Sequence, residues 1–258
     1  MGQRRTALIT GATSGIGRAF AERLARDGHD LIITGRRRVE LQALATGLAE
    51  RAGVRVTPLI VELSREKDVA SLVHRIEALG GLDALVSNAG YGIGLPFGQV
   101  PIEEQLRMVA VHVNAALRLI HAALPALVRR KSGSIVTVAS LAAFLPLPRS
   151  AVYCGTKAFL NSFTQSLALE VRGLGIRVQS LCPGLVDTDF HRRNVRRTEA
   201  RSRGIIRWAT AEQVVERSFI DLARGRVLCI PGFWNRVGVR LVQLTPRRLY
   251  AAVVGRHG

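Results

Sequence analysis

A chain of 258 residues with 48% hydrophobic content can close one sizeable core, and no linker, repeat or low-complexity tract divides it, so a single domain over 1–258 is expected. The formal net charge of +18 is carried almost wholly by arginine, Lys67, Lys131 and Lys157 being the lysines, and the shortage of acids leaves room for an anionic partner. Several classes are excluded: no apolar run of about 18 residues spans a membrane, no zinc-finger or RNP-type module makes nucleic acid a partner, and Cys154, Cys182 and Cys229 lack the spacing of a disulfide framework or a metal site.

In chain order, short β-branched runs alternate with longer helical patterns. Strands are expected over 6–10, 30–34, 54–60, 84–87, 134–139, 176–181 and 226–230, and helices over 16–26, 39–51, 66–79, 102–130, 152–172 and 211–223. Most of the strands are apolar at consecutive positions, as parallel strands covered on both faces must be. The first helix shows Ile16, Ala19, Phe20 and Leu24 at helical spacing. The alternation predicts an α/β fold, a three-layer doubly wound parallel sheet whose ligands bind where loops leave the strands' carboxyl ends. The opening Met1–Thr6 carries no apolar signal core, and unpaired cysteines fit a reducing compartment, so a cytoplasmic protein is expected.

The first strand ends in Thr10-Gly-Ala-Thr-Ser-Gly-Ile-Gly17 and runs directly into a helix. Glycines there let backbone approach a pyrophosphate, which sits over the free N–H groups and positive dipole end of the helix. Gly11, Thr13, Ser14, Gly15, Ile16 and Gly17 are therefore candidate dinucleotide-binding residues. The second strand ends in Thr34-Gly-Arg-Arg-Arg38, without the Asp or Glu that would hold the ribose 2′-hydroxyl of NAD. Arg36 and Arg37 are read instead as a fork for the 2′-phosphate of NADP, against the plainer reading of a solvated basic loop.

With Asn88-Ala-Gly90, Ser140 and Tyr153-Cys-Gly-Thr-Lys157 following in order, the chain over roughly 5–232 resembles the classical short-chain dehydrogenase/reductase family, a Rossmann-type fold with strand order 3-2-1-4-5-6-7. The resemblance implies hydride transfer between NADP(H) and a ketone or secondary alcohol in a homodimer or homotetramer. It makes Tyr153 the acid/base, Ser140 the group polarising the same oxygen, and Lys157 a grip on the nicotinamide ribose that, together with the oxidised nicotinamide, lowers the Tyr153 pKa. Asn114 resembles the family's Asn that orders a water beside the lysine. Asn88, Ala89 and Gly90 would pass close to the adenine ribose, and Pro183, Gly184, Val186 and Thr188 resemble the loop that meets the carboxamide. Glu62 and Leu63 stand at the adenine contact, where the family more often has Asp before the apolar residue. A non-catalytic NADP-sensing or scaffold protein on the same fold is the rival reading.

Apolar Leu95, Phe97, Leu141, Phe144 and Leu145 near the expected cleft suggest a hydrophobic substrate. Two basic stretches stand outside the motifs. Segment 190–208, the family's substrate lid, sets seven arginines against Glu199, fitting either a solvated helix or a rim for phosphate-bearing carriers. The extension 233–258 contains no acid, and Trp234, Val237, Leu241 and Leu244 fall at helical spacing, with Thr245-Pro246 starting a second helix. Such a pair either packs on the domain or a partner subunit, which is preferred because Trp234 lies near the family's dimer surface, or lies on anionic lipid and gives the protein peripheral membrane contact.

Overall fold

The computed structural model describes residues 4–187 and 208–254. Its centre is a seven-stranded parallel sheet in the order β3-β2-β1-β4-β5-β6-β7, as the family resemblance implies. The strands are β1 (Thr6–Ile9), β2 (Asp30–Gly35), β3 (Val56–Ile60), β4 (Ala84–Ser87), β5 (Gly133–Val138), β6 (Ile176–Leu181) and β7 (Leu228–Cys229). Between them run α1 (Gly15–Arg26), α2 (Arg38–Ala52), α3 (Glu66–Ala78), α4 (Ile102–Val109), α5 (Ala115–Arg130), α6 (Ala151–Glu170) and α7 (Ala211–Ala223). The extension forms α8 (Phe233–Leu244) and α9 (Arg247–Val254).

Successive side chains of a strand point to opposite faces, so each apolar run feeds two cores. Ala7 and Ile9 of β1, with Leu31 and Ile33 of β2, join Phe20, Leu41 and Val214 on the face covered by α1, α2 and α7. Leu8 and Ile32, between them in sequence, join Leu72, Leu85, Leu119 and Ile135 on the face covered by α3, α5 and α6. Each fully buried Leu, Ile or Phe contributes about 1.5–3 kcal/mol relative to exposure, before ordering costs.

One helical run, Ile102–Arg130, is long and apolar enough by length and composition to cross a membrane. Here it is a core element: Ala115, Ala116, Leu119, Ile120, Ala123 and Leu127 are buried. The run is not regular throughout, as the sequence suggests, but is widened by a π-turn over Ala110–Asn114. Such bulges rotate the side chains that follow and recur at functional sites.

β1 pairs with β2 on one side and β4 on the other. Strand order reverses about this point, β1 connecting outward to β2 and β4 outward to β5 on the other side, so the crossovers after β1 and β4 run to opposite faces and leave a crevice at the strands' carboxyl ends. The extension covers less than the sequence suggests. Val239 of α8 is buried beside Leu160 and Ile230, but Trp234 and Leu244 are 77% and 81% exposed, and Leu241 also faces solvent. The predicted apolar stripe is thus not buried within the described chain. Segment 190–207 and Thr188 lie outside the described residues.

Candidate active site

The crevice is a cavity of about 480 Å³ running from the β1–α1 loop to Tyr153. At one end stand Gly11, Thr13, Ser14, Gly15 and Ile16. Gly11 has φ +68°, and a side chain there would come 2.9 Å from the Ala89 backbone. Gly17 does not line the cavity. It lies under the loop, where a Cβ would run into the Gly11 carbonyl and the Asn88 amide, so its contribution is close packing of α1 rather than ligand contact. The first turn of α1 holds no acidic residue, and Ser14 makes no side-chain cap. Its leading N–H groups are therefore available to an anion in the cavity.

Arg36, Arg37, Glu62 and Leu63 form the adjoining wall. The Arg36 guanidinium lies 3.3 Å from a Glu62 carboxylate oxygen. Burial raises the Glu62 pKa, but hydrogen bonds from the Ser64 backbone and hydroxyl, together with Arg36, outweigh it and hold the carboxyl below its ordinary range. Arg37 approaches Glu40 at 3.8 Å. Asn88 acts through the glycine loop: its amide donates to the carbonyls of Thr10 and Gly11 at 2.9 and 3.1 Å. The Thr10 hydroxyl accepts from the Asn88 and Ala89 backbone N–H groups, so the loops after β1 and β4 are tied together. Ala89 and Gly90 face the cavity beside them.

At the other end, β5 delivers Ser140 and α6 delivers Tyr153 and Lys157, all on the cavity wall. The Ser140 oxygen accepts from the Ala142 backbone at 3.1 Å and shares a hydrogen bond with Tyr153. Lys157 is buried and donates to the Val138 carbonyl at 2.7 Å, with its ammonium 5.8 Å from the Tyr153 ring centre. Burial pulls its pKa down to about 8. The Tyr153 pKa is not lowered, as the sequence suggests. Burial pushes it up to about 12 against the Ser140 hydrogen bond, because the nearby ammonium does not offset desolvation of a phenolate. Pro183, Gly184 and Val186 close this end.

Asn114 is exposed and does not line the cavity. The polar side chain buried within the π-turn is His112, 1% exposed, with its ring centre 5.9 Å from that of Tyr153. The buried stripe Met108, Ala115 and Ala116, Leu119, Ile120 and Ala123 extrapolates to position 112 and not to 114, a pattern already present in the sequence.

A family model for short chain dehydrogenase matches residues 5–199. The chain belongs to the short-chain dehydrogenase family. It is 38% identical over 218 residues to sulfoacetaldehyde reductase 2 of Chromohalobacter salexigens, covering 82% of this chain and 86% of that one. Among solved family structures, a short-chain dehydrogenase from Sphingobium yanoikuyae in complex with NADPH superposes with a TM-score of 0.82 at 31% identity, covering 94% and 96% of the two chains. A short-chain dehydrogenase/reductase from Burkholderia phymatum in complex with NAD superposes with a TM-score of 0.78 at 26% identity, covering 93% and 92%. The fold and family are thereby those of an oxidoreductase, and both dinucleotides occur among its neighbours.

Proposed function

We propose that the protein is an NADP(H)-dependent oxidoreductase that interconverts a ketone or aldehyde and its alcohol, with Tyr153 as acid/base. The observation that carries this reading is a single cavity with a bare helix N-terminus and Arg36 at one end and Ser140, Tyr153 and Lys157 at the other. The glycine-walled loop fits a pyrophosphate, and Arg36 fits a 2′-phosphate that competes with Glu62 for the guanidinium. NADP(H) would supply or accept the hydride there. Tyr153, protonated at neutral pH, donates to the developing alkoxide, and the Ser140 hydroxyl stabilises charge on the same oxygen. Lys157, charged below about pH 8, stabilises the phenolate left behind. Leu95 and Phe97 are exposed on the loop that continues from cavity-lining Gly92, and Arg149 ahead of α6 donates to the Gly94 carbonyl of that loop at 3.2 Å, which favours a hydrophobic substrate. The test is NADPH oxidation with a panel of aldehydes and bulky ketones. Turnover is expected with at least one, whereas tight NADPH binding without turnover on any would favour the sensor reading.

We infer in addition that α8 and α9 meet an anionic lipid surface. Phe233, Trp234, Leu241, Leu244 and Leu249 are exposed, Arg236, Arg240 and Arg248 lie among them, and no acidic residue follows Asp221. Pairing this face with its own copy would bring like charges together, while an anionic surface takes both the arginines and the apolar groups. The face adjoins the active site: Tyr250 of α9 donates to the Pro146 carbonyl at 2.9 Å, and Asn235 of α8 packs against Gly184. Co-sedimentation with phosphatidylglycerol vesicles, weakening with salt and absent with phosphatidylcholine, is expected. A failure to bind at low salt would overturn this.

A further inference from the structure

His112 is a buried titratable side chain to which the reaction above gives no part. Its two ring nitrogens are both engaged, one by the loop after β4 and the other by α6. Nε2 lies 3.0 Å from the backbone nitrogen of Tyr91, on the loop after β4 that lines the cavity. Nδ1 lies 2.9 Å from the Thr156 hydroxyl on α6, and that hydroxyl lies 2.8 Å from the carbonyl oxygen of Tyr153. The Tyr91 nitrogen can only donate, so Nε2 must carry the lone pair. The single ring proton therefore sits on Nδ1 and goes to Thr156, whose own proton goes to the Tyr153 carbonyl. Every donor in the chain from Tyr91 through His112 and Thr156 to Tyr153 has one acceptor, and no alternative assignment satisfies all the contacts.

The ring also packs between these two elements. It makes edge-to-face contacts with Tyr91 and Tyr153, at centroid separations of 5.8 and 5.9 Å. A Cβ on Gly90 would come 2.9 Å from Nε2 and 3.5 Å from the Lys157 ammonium, so bare backbone is required where the imidazole and the lysine meet the loop. An imidazolium would turn the Tyr91 contact into two opposed donors beside the Lys157 charge, and burial with that charge holds the ring well below its usual pKa.

We propose that His112 is a positioning residue: a neutral imidazole, fixed as the Nδ1–H tautomer, that sets the register of the α6 segment bearing Tyr153 and Lys157 against the cofactor-side loop at Tyr91. It touches no reacting atom. It acts by holding the Tyr153 backbone through Thr156, so the phenol and the ammonium meet the cavity at fixed positions. The proposal rests on the assignment of Tyr153 and Lys157 above for its catalytic consequence, but not for its tautomer.

Two measurements separate these parts. In the full-length protein labelled with 15N-histidine, the buried ring at pH 7 should show a protonated Nδ1 and an unprotonated Nε2, assigned by loss of its signals in His112→Phe. An Nε2–H tautomer or an imidazolium would overturn the proposal whether or not a substrate is known. With a carbonyl that the wild type reduces, Thr156→Val, close to isosteric, should lower kcat by about tenfold while NADPH Kd stays within about twofold, the pattern of a misplaced acid rather than a lost binding contact. His112→Phe should do the same, and the double variant should be no worse than the more impaired single one, because both cut one chain. Unchanged kcat in Thr156→Val, or fully additive losses, would reduce His112 to packing and contradict the proposal.

Discussion

The floor of the cavity and the C-terminal helix pair both set apolar groups beside cations, and the fold treats them in opposite ways. Lys157 is enclosed and tied to Val138, and His112, Thr156 and Tyr153 satisfy one another in a closed chain. In α8 the apolar stripe faces outward with its arginines, and Val239 alone of that helix is buried. Polar groups are over-determined where reacting atoms must stay within fractions of an ångström. Apolar groups are left uncovered where a second surface can supply the burial. The contrast sets how each region should respond to substitution.

The sharpest break is expected on the floor. Tyr153→Phe keeps the ring and its packing but removes the proton donor, so kcat should fall by about 10² or more while NADPH affinity stays nearly unchanged. Steady-state kinetics alongside fluorescence titration would show it, and near-normal turnover would remove Tyr153 from its role.

A stability signature should accompany it. The Lys157 pKa is lower in the folded protein, about 8, than the ordinary 10.5, so between those values the unfolded chain binds more protons. Stability contributed by this group should therefore rise as pH increases from about 8 to 10.5, by about 3 kcal/mol if the full shift is expressed. Urea denaturation across that window should show the rise in wild type and its loss in Lys157→Met, which should also weaken NADPH binding. A rise of equal size in the variant would assign it to other groups.

The exposed face of the helix pair should be nearly silent in the same assay, in contrast to its one buried contact. Val239→Ala is expected to cost about 1–2 kcal/mol because it opens a buried contact. Trp234→Ser and Leu244→Ser should change stability by less than about 0.5 kcal/mol yet weaken vesicle binding. Large destabilisation by either exposed-site variant would place the stripe in an intramolecular or subunit contact and erase the contrast.

Much of this is legible in the sequence. Consecutive apolar strands such as Leu31-Ile-Ile33 announce a sheet covered on both faces, and the glycine run from Gly11 to Gly17 marks the strand-to-helix turn. Position 114 is a poor match because a motif match counts residue types along the chain and ignores which face of the helix is buried. The 3.6-residue burial stripe, a packing criterion, points to His112 instead. The Tyr153 pKa misled for a different reason: a charge four residues away on a helix is visible in sequence, but the desolvation opposing it depends on how deeply both groups are buried. In the tail, spacing showed an amphipathic helix whose apolar face needs covering, and spacing cannot say which surface covers it.

The central claim is that one cavity binds a 2′-phosphorylated dinucleotide through Arg36 and presents it to Tyr153. Its most direct test is titration of the wild type and Arg36→Ala with NADPH and NADH under identical conditions. The wild type should prefer NADPH by about 1.5–3 kcal/mol, the range for a charge-assisted hydrogen bond, and the variant should lose most of that preference with little change toward NADH. A wild type that favours NADH, or a preference that survives in the variant, would contradict it.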